Sequence, residues 1–406
     1  MPTGPAATAP RGDLWRFAAL SGVYFAFIGY FNPYLPLWLS ELGFGAFTIG
    51  ALVAVQSATR VVAPYAWAWV ADHTGRRIRL LRIASTAACL CGAGLLPTPG
   101  WIAPHAGYVG LVLFLMFMNT SAMMPMAEAA LAQRVSTERG LDVGRYGRIR
   151  VWGSIGFIVT VVAFGFWFDR MGLRWFAPGV VLILFALVLA CRQLPADKAA
   201  DEGAPAAPPL RPVLAQRPVR WFFASAFFMV LAHMSLYAFF SLHLDALGYG
   251  RDAVGLLWAV SVVAEIGWFL VQGRWIGHGT LERWLAFACA VAALRFAATA
   301  AFGASLTVML LAQAAHAITF AAHHSVCMAW ITRHFPGRLR ARGQALYTVL
   351  GYGLPGVLGG VAGGALSEAA GYAAVFWAAA AAGALAALAA WRVGQAAHKA
   401  LSATES

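Results

Sequence analysis

Long apolar runs alternate with short polar breaks along the whole chain. The runs lie near residues 15–39, 47–71, 80–96, 106–132, 149–168 and 175–191, then near 220–243, 253–273, 284–303, 306–332, 343–366 and 373–391. A helix needs about 20 mostly apolar residues to cross the hydrocarbon core, so this pattern predicts an all-α protein with twelve membrane-spanning helices. Residues 193–219 break it with Pro195, Pro205, Pro208, Pro209, Pro212 and Pro218 and no apolar period. That stretch reads as a solvated linker. The expected organisation is a six-helix bundle over 1–192, a cytoplasmic linker over 193–219 and a second six-helix bundle over 220–406. Residues 1–13 lack a cleavage pattern and the first run is too long for a signal peptide, so it reads as a retained helix.

The two halves share a repeat. Sliding Trp38–Arg60 onto His243–Glu265 aligns ELGFGAFTIGALVA with ALGYGRDAVGLLWA without a gap, including three matched glycines. Parallel six-helix repeats are a transporter architecture with a substrate site near the midplane. The expected cavity is lined by the first, fourth, seventh and tenth helices. At the end of the repeat, Arg60 faces Glu265 in the alignment, so the duplicated position carries opposite charges.

Composition supports the membrane reading: 61% of residues are hydrophobic and 11% charged, against about 45–50% and 25% in soluble domains. The net charge of +13 comes from arginines spread between the runs, which argues against a nucleic-acid surface. With the N-terminus in the cytoplasm, Arg170, Arg174 and Arg251 fall outside and Arg60 and Arg295 inside the membrane, while the rest of the 29 Lys and Arg are cytoplasmic. That asymmetry follows the positive-inside rule and predicts both termini in the cytoplasm. Cys89, Cys91, Cys191, Cys289 and Cys327 lie in apolar runs without metal-ligand spacing and read as packing residues.

Ionisable groups at membrane depth are costly and mark function by default. The stretch from Asn119 to Gly153 carries Glu128 on one helix and Arg148 and Arg150 on the next. The first helix bears an aromatic stripe of Tyr24, Phe27, Phe31 and Tyr34, and its Pro33 and Pro36 are expected to kink or end it. The eighth run aligns Ser261, Glu265, Trp268 and Gln272; the ninth holds Arg295, whose cheapest partner is Glu265 one hairpin away. At 100° per residue, Gln313, His316, Thr319, Phe320, His323 and His324 share one stripe of the tenth run. Histidine titrates near neutral pH, so these residues favour proton handling over metal binding. Gly356, Gly360 and Gly364 space a close-packing seam on the eleventh.

The loop ADHTGRRIR, with Asp72, Gly75, Arg76 and Arg77, resembles the signature between the second and third helices of the major facilitator superfamily. That resemblance implies a cytoplasmic gate built on these four residues, although Ala68 and His73 depart from the family's form. YGRIRVWGS, MPMAEAA, Glu265, Arg295 and His316 are similar to the lactose permease pattern. On that likeness Glu128 and Arg150 would touch substrate, and Glu265, Arg295 and His316 would couple it to a proton. PYLPLWL, Arg60, YGRIRVWGS, VVAE and HAITFAAHH resemble the phenylpropionate permease family across nearly the whole chain. Where lactose permease has a carboxylate three residues after its helix-ten histidine, this chain has Thr319, so the proton needs another carrier.

The expected function is therefore proton-coupled import of a small organic anion, such as an aromatic acid, by alternating access through the inner membrane. Arg60, Arg150 and Arg295 outnumber Glu128 and Glu265 at membrane depth, and a substrate carboxylate would complete the set. Expected substrate-binding residues are Glu128, Arg150, Arg60, Tyr24, Phe27, Asn119 and Tyr237. Expected coupling residues are Glu265, Arg295, His316, His324 and Thr319. No cofactor beyond the coupling ion, no metal and no nucleic acid is expected, and the working unit is a monomer in the lipid bilayer. A sugar, oligosaccharide or nucleoside symporter, a drug exporter and a transport-dead sensor are the alternatives. No nucleotide-binding or nucleophile motif suggests an enzyme.

Overall fold

A computed structural model describes residues 11–137, 140–141, 143–196, 210–336 and 339–402. Among these residues, twelve helices are long and apolar enough to cross a membrane. They are α1 (Leu14–Glu41), α2 (Ala46–Ala71), α3 (Arg77–Leu95), α4 (Ala106–Ala132), α5 (Gly147–Met171) and α6 (Leu173–Gln193). The second half adds α7 (Arg217–Ala246), α8 (Arg251–Trp275), α9 (Leu281–Phe302), α10 (Leu306–His334), α11 (Arg342–Ala370) and α12 (Tyr372–Ala396). Every apolar run is one of these helices, with most ends extended by a few residues. The extension is physical, because polar flanks stay helical until the chain can satisfy its backbone groups. The protein is thus an all-α polytopic membrane protein. A two-residue antiparallel ladder pairs Ser136 with Leu141 and Thr137 with Gly140 between α4 and α5.

Two details differ from the apolar pattern. The first helix continues through Pro33 and Pro36 to Glu41, because packing holds it where the ring removes a backbone bond. The Tyr34 hydroxyl, for instance, donates to the Val161 carbonyl of α5. The proline-rich linker is shorter than 193–219: a helical turn spans Arg211–Leu214 and α7 begins at Arg217. Its central residues, 197–209, lie outside the described set.

The chain separates into two compact units, Met1–Gly43 with Val62–Glu202, and Phe44–Val61 with Gly203–Ser406. In the first, α1 packs against α5 at the closest range backbones allow. A Cβ on Gly156 would collide with the Gly22 carbonyl, and one on Gly29 with the backbone of Phe157. Tyr30 fills the join to α6, its ring stacked on Phe176 at 5.5 Å and its hydroxyl donating to the Trp175 and Phe176 carbonyls at 3.0 and 2.9 Å.

In the second unit, Phe222 stacks on Trp330 at 4.0 Å, in a buried cluster with Phe335 and Tyr347. The first part of α2 belongs to this unit and seats on the α11 glycine seam, where a Cβ on Gly360 would meet the Gly50 carbonyl. The sequence repeat has a conformational counterpart. Gly43 and Gly248, matched in the alignment, take φ of 85° and 84°, a left-handed conformation in which a Cβ is strained.

Candidate functional site

Charged side chains gather inside the spanning segments of each unit. In the first, α4 is interrupted at Ser121, between helical pieces Ala106–Thr120 and Met123–Val135. The second piece carries Glu128 toward α5, where its Oε1 lies 3.0 Å from Arg150 Nε. The Arg150 guanidinium also sits 4.6 Å over the Phe25 ring, an attraction of cation to π face. The pair is half-exposed, and with Phe17, Leu20, Ser21 and Met124 it lines a shallow cavity. The Ser21 hydroxyl, buried in that lining, has no hydrogen-bond partner among the described residues. Sequence reading missed Ser21, since one serine in an apolar run has no distinguishing signal.

Three other expected binding residues lie in the same unit with different exposures. Tyr24 is half-buried and its hydroxyl donates to the Thr120 carbonyl at 3.4 Å. Asn119 donates its amide to Leu115, one turn back on its own helix, at 2.8 Å. Phe27 is a correction: it is fully buried against Phe31, ring centroids 5.3 Å apart, and therefore packs rather than lining a cavity. Phe31 and Tyr34 of the same stripe are buried with it, which is the common fate of aromatic stripes.

The second unit holds a more deeply buried network. Arg295 of α9 is 4% exposed and spends its guanidinium on α10. Its Nη1 donates to His316 Nδ1 at 2.8 Å and to Thr319 Oγ1 at 2.9 Å, and its Nη2 to Gln313 Oε1 at 2.6 Å. His316 Nε2 in turn lies 3.0 Å from Glu265 Oε1 of α8. A guanidinium only donates, so His316 Nδ1 is the accepting nitrogen and the ring proton sits on Nε2, facing Glu265. A second branch runs through Thr319. Its hydroxyl accepts from Arg295 and donates to His233 Nε2 at 3.4 Å, while His233 Nδ1 donates to the Met229 carbonyl at 2.8 Å.

The expected direct pairing of Arg295 with Glu265 is replaced by a relay: His316 stands between them and bonds each. The stripe drawn at 100° per residue is also altered, because α10 is π-helical over Ala317–Ala322. A π turn takes one more residue per bond and re-aims the side chains beyond it. His323 accordingly is buried beside Cys327, 3.6 Å from Nε2 to Sγ. His324 stacks on Phe320 at 6.4 Å. His233, on α7, joins the network, although its sequence context did not single it out above its neighbours.

Two further π-helical stretches, Ser235–Phe239 in α7 and Val349–Gly353 in α11, each present a tyrosine, Tyr237 and Tyr352. Tyr237 lies within electrostatic reach of Arg60, Glu265 and Arg295, and Tyr352 within reach of Arg60 and Glu265. Arg60 is half-buried and makes no ion pair among the described residues. At the loop after α2, Gly75 takes φ of 64°, so the turn needs a glycine there, and Arg76 is exposed. Arg77 opens the next helix. The Asp72 side chain lies outside those described. The His73 ring lies tilted against Trp69 at 4.3 Å and donates to the Trp69 carbonyl at 2.7 Å.

Among the described residues, twelve helices are long and apolar enough to cross a membrane, and ionisable side chains pair within them. The chain belongs to the MFS_1 like family, whose model matches residues 14–378. It is 27% identical over 347 residues to a maltose permease of Geobacillus stearothermophilus, covering 85% of each chain. It is 26% identical over 335 residues to a probable 3-phenylpropionic acid transporter of Escherichia coli (strain K12), covering 81% of this chain and 85% of the other. Among solved structures, the nucleoside transporter NupG aligns with a TM-score of 0.74 at 17% identity, over 94% of this chain and 98% of the other. A D-xylose-proton symporter aligns at 0.70 and 13%, over 92% and 96%. These likenesses establish the fold.

Proposed function

We propose that the protein is a proton-coupled symporter that imports a small organic anion, an aromatic acid such as a phenylpropionate, by alternating access. The observation that carries this reading is the buried relay from Arg295 through His316 to Glu265. A carboxylate that is bonded by an imidazole N–H can take up a proton while Arg295 keeps its hydrogen bonds to the neutral acceptors of α10. With Thr319 in place of a carboxylate on α10, Glu265 is the acid of this network. Glu128 and Arg150 bind substrate from the first unit, and Gly75, Arg76, Arg77 and Asp72 form the cytoplasmic gate. The arginine asymmetry supports a reading in which both termini are cytoplasmic and the transporter works as a monomer in the inner membrane.

Proteoliposomes with an imposed inward proton gradient test this reading. Labelled 3-phenylpropionate accumulates above equilibrium, and a protonophore reduces it to equilibration; accumulation that survives the protonophore contradicts the proposal. The likeness to a maltose permease supports a second reading, proton-coupled sugar uptake. Competition by maltose against the aromatic acid separates the two.

A further inference from the structure

Arg60, Arg150 and Arg295 each lie within a spanning helix, and two of these three are already matched. Arg150 has Glu128 at 3.0 Å. Arg295 has three acceptors on α10 and is balanced by Glu265 through His316. Arg60 is the remaining one, and no described carboxylate or carbonyl bonds it. A charge held this deep calls for a counter-ion.

Local packing shows what surrounds it. Ser57 and Val61, one turn before Arg60 and one residue after it, sit directly against α11: a Cβ on Gly356 would overlap Ser57, and one on Gly353 would overlap Val61. Tyr352, the residue preceding Gly353, lies within electrostatic reach of Arg60. Residues 44–61 and α11 belong to the same unit, so this neighbourhood is part of one packed body. Tyr237 of α7 is likewise within electrostatic reach of Arg60, its ring stacked on Trp258 at 6.4 Å. Both tyrosines lie on π-helical turns, a backbone form frequent at functional sites because it re-aims side chains at a local cost.

We infer that Arg60, with the hydroxyls of Tyr237 and Tyr352, is the anchor for the substrate's carboxylate, and that the substrate is a monocarboxylate with an apolar or aromatic body. This rests on the proposed import of an organic anion and assigns the charge-recognition step within it. A guanidinium offers a planar fork that matches a carboxylate with two parallel bonds. The tyrosine hydroxyls donate to the outer lone pairs, and the Tyr237–Trp258 ring pair suits an apolar body beside the charged end.

The test compares binding of 3-phenylpropionate with that of its neutral amide, 3-phenylpropionamide, to the purified full-length protein in nanodiscs. Wild type prefers the acid by about 30-fold, the weight of a charge-assisted bond to a carboxylate. Arg60→Gln reduces that ratio to about one, while Tyr237→Phe and Tyr352→Phe each lower it about threefold. Arg60→Lys keeps the charge but not the fork, and lowers the ratio about fivefold; this variant decides the question should Arg60→Gln not fold. A wild-type preference for the acid that persists in the Arg60 variants overturns the assignment and leaves the organic-anion reading standing. A wild type that ignores the acid while binding maltose or a nucleoside overturns that reading and this inference with it.

Discussion

His316 accepts a hydrogen bond from Arg295 at Nδ1, 2.8 Å away, and this contact decides where the imidazole proton sits. With Nδ1 occupied as an acceptor, the proton is on Nε2 and points to Glu265 Oε1 at 3.0 Å. The histidine therefore orients the carboxylate and transmits the arginine's polarity to it. His316→Phe removes both contacts and leaves a buried guanidinium and a carboxylate each short of a partner. The expected loss is about 2–3 kcal/mol, seen as a lower thermal midpoint in detergent. His316→Gln, which can donate and accept, recovers more than half of that loss.

Arg295 is held by three neutral or bridging acceptors rather than by Glu265 itself, and this changes how charge neutralisation combines. Arg295→Gln leaves Gln313, His316 and Thr319 without their donor, costing about 3 kcal/mol or more. Adding Glu265→Gln does not restore it, since those acceptors remain unserved. Thermal midpoints of the two single variants and the double variant check this. Full recovery in the double variant would mean that the two charges act as a direct pair.

Glu128 and Arg150 pose the opposite balance of stability and function. Their ion pair is half-exposed, and such pairs are worth about 1 kcal/mol or less. Glu128→Gln and Arg150→Gln should therefore leave the thermal midpoint within a few degrees of wild type. Substrate counterflow should nonetheless fall at least about tenfold in each, since a binding contact is lost from the cavity they line. Unchanged counterflow in both variants would remove this pair from the binding site.

The α1–α5 contact sets a packing prediction. A Cβ on Gly156 has no room against the Gly22 carbonyl. Gly156→Val forces the helices apart and should cost about 1–3 kcal/mol, read as reduced yield of folded protein and a lower midpoint. Gly147→Ala, where a Cβ meets open space, is the matched control and should leave both unchanged.

The spanning helices were legible because each is long, apolar and bounded by charge. The candidate site was partly legible for the same reason: Glu128, Arg150, Glu265, Arg295 and His316 are expensive where they stand. The features that escaped have a physical explanation. A uniform helical period cannot anticipate a π turn, so the placement of His323 and His324 was not readable from spacing. Phe27 and Tyr24 sit one turn apart in the same stripe, and only tertiary packing separates a buried ring from a half-buried one. Ser21, His233 and Tyr352 are ordinary residues in apolar runs, and their importance comes from partners far along the chain.

Glu265 is central to the account as the proposed carrier of a coupling proton. The most direct measurement tracks pH inside proteoliposomes loaded with a fluorescent pH indicator while 3-phenylpropionate is added outside, for wild type and Glu265→Gln, with exchange of labelled substrate monitored in parallel. Wild type should acidify the lumen in step with substrate entry. Glu265→Gln should exchange substrate at a rate within about tenfold of wild type and give no substrate-dependent acidification. Substrate-driven acidification that persists in Glu265→Gln would contradict the account.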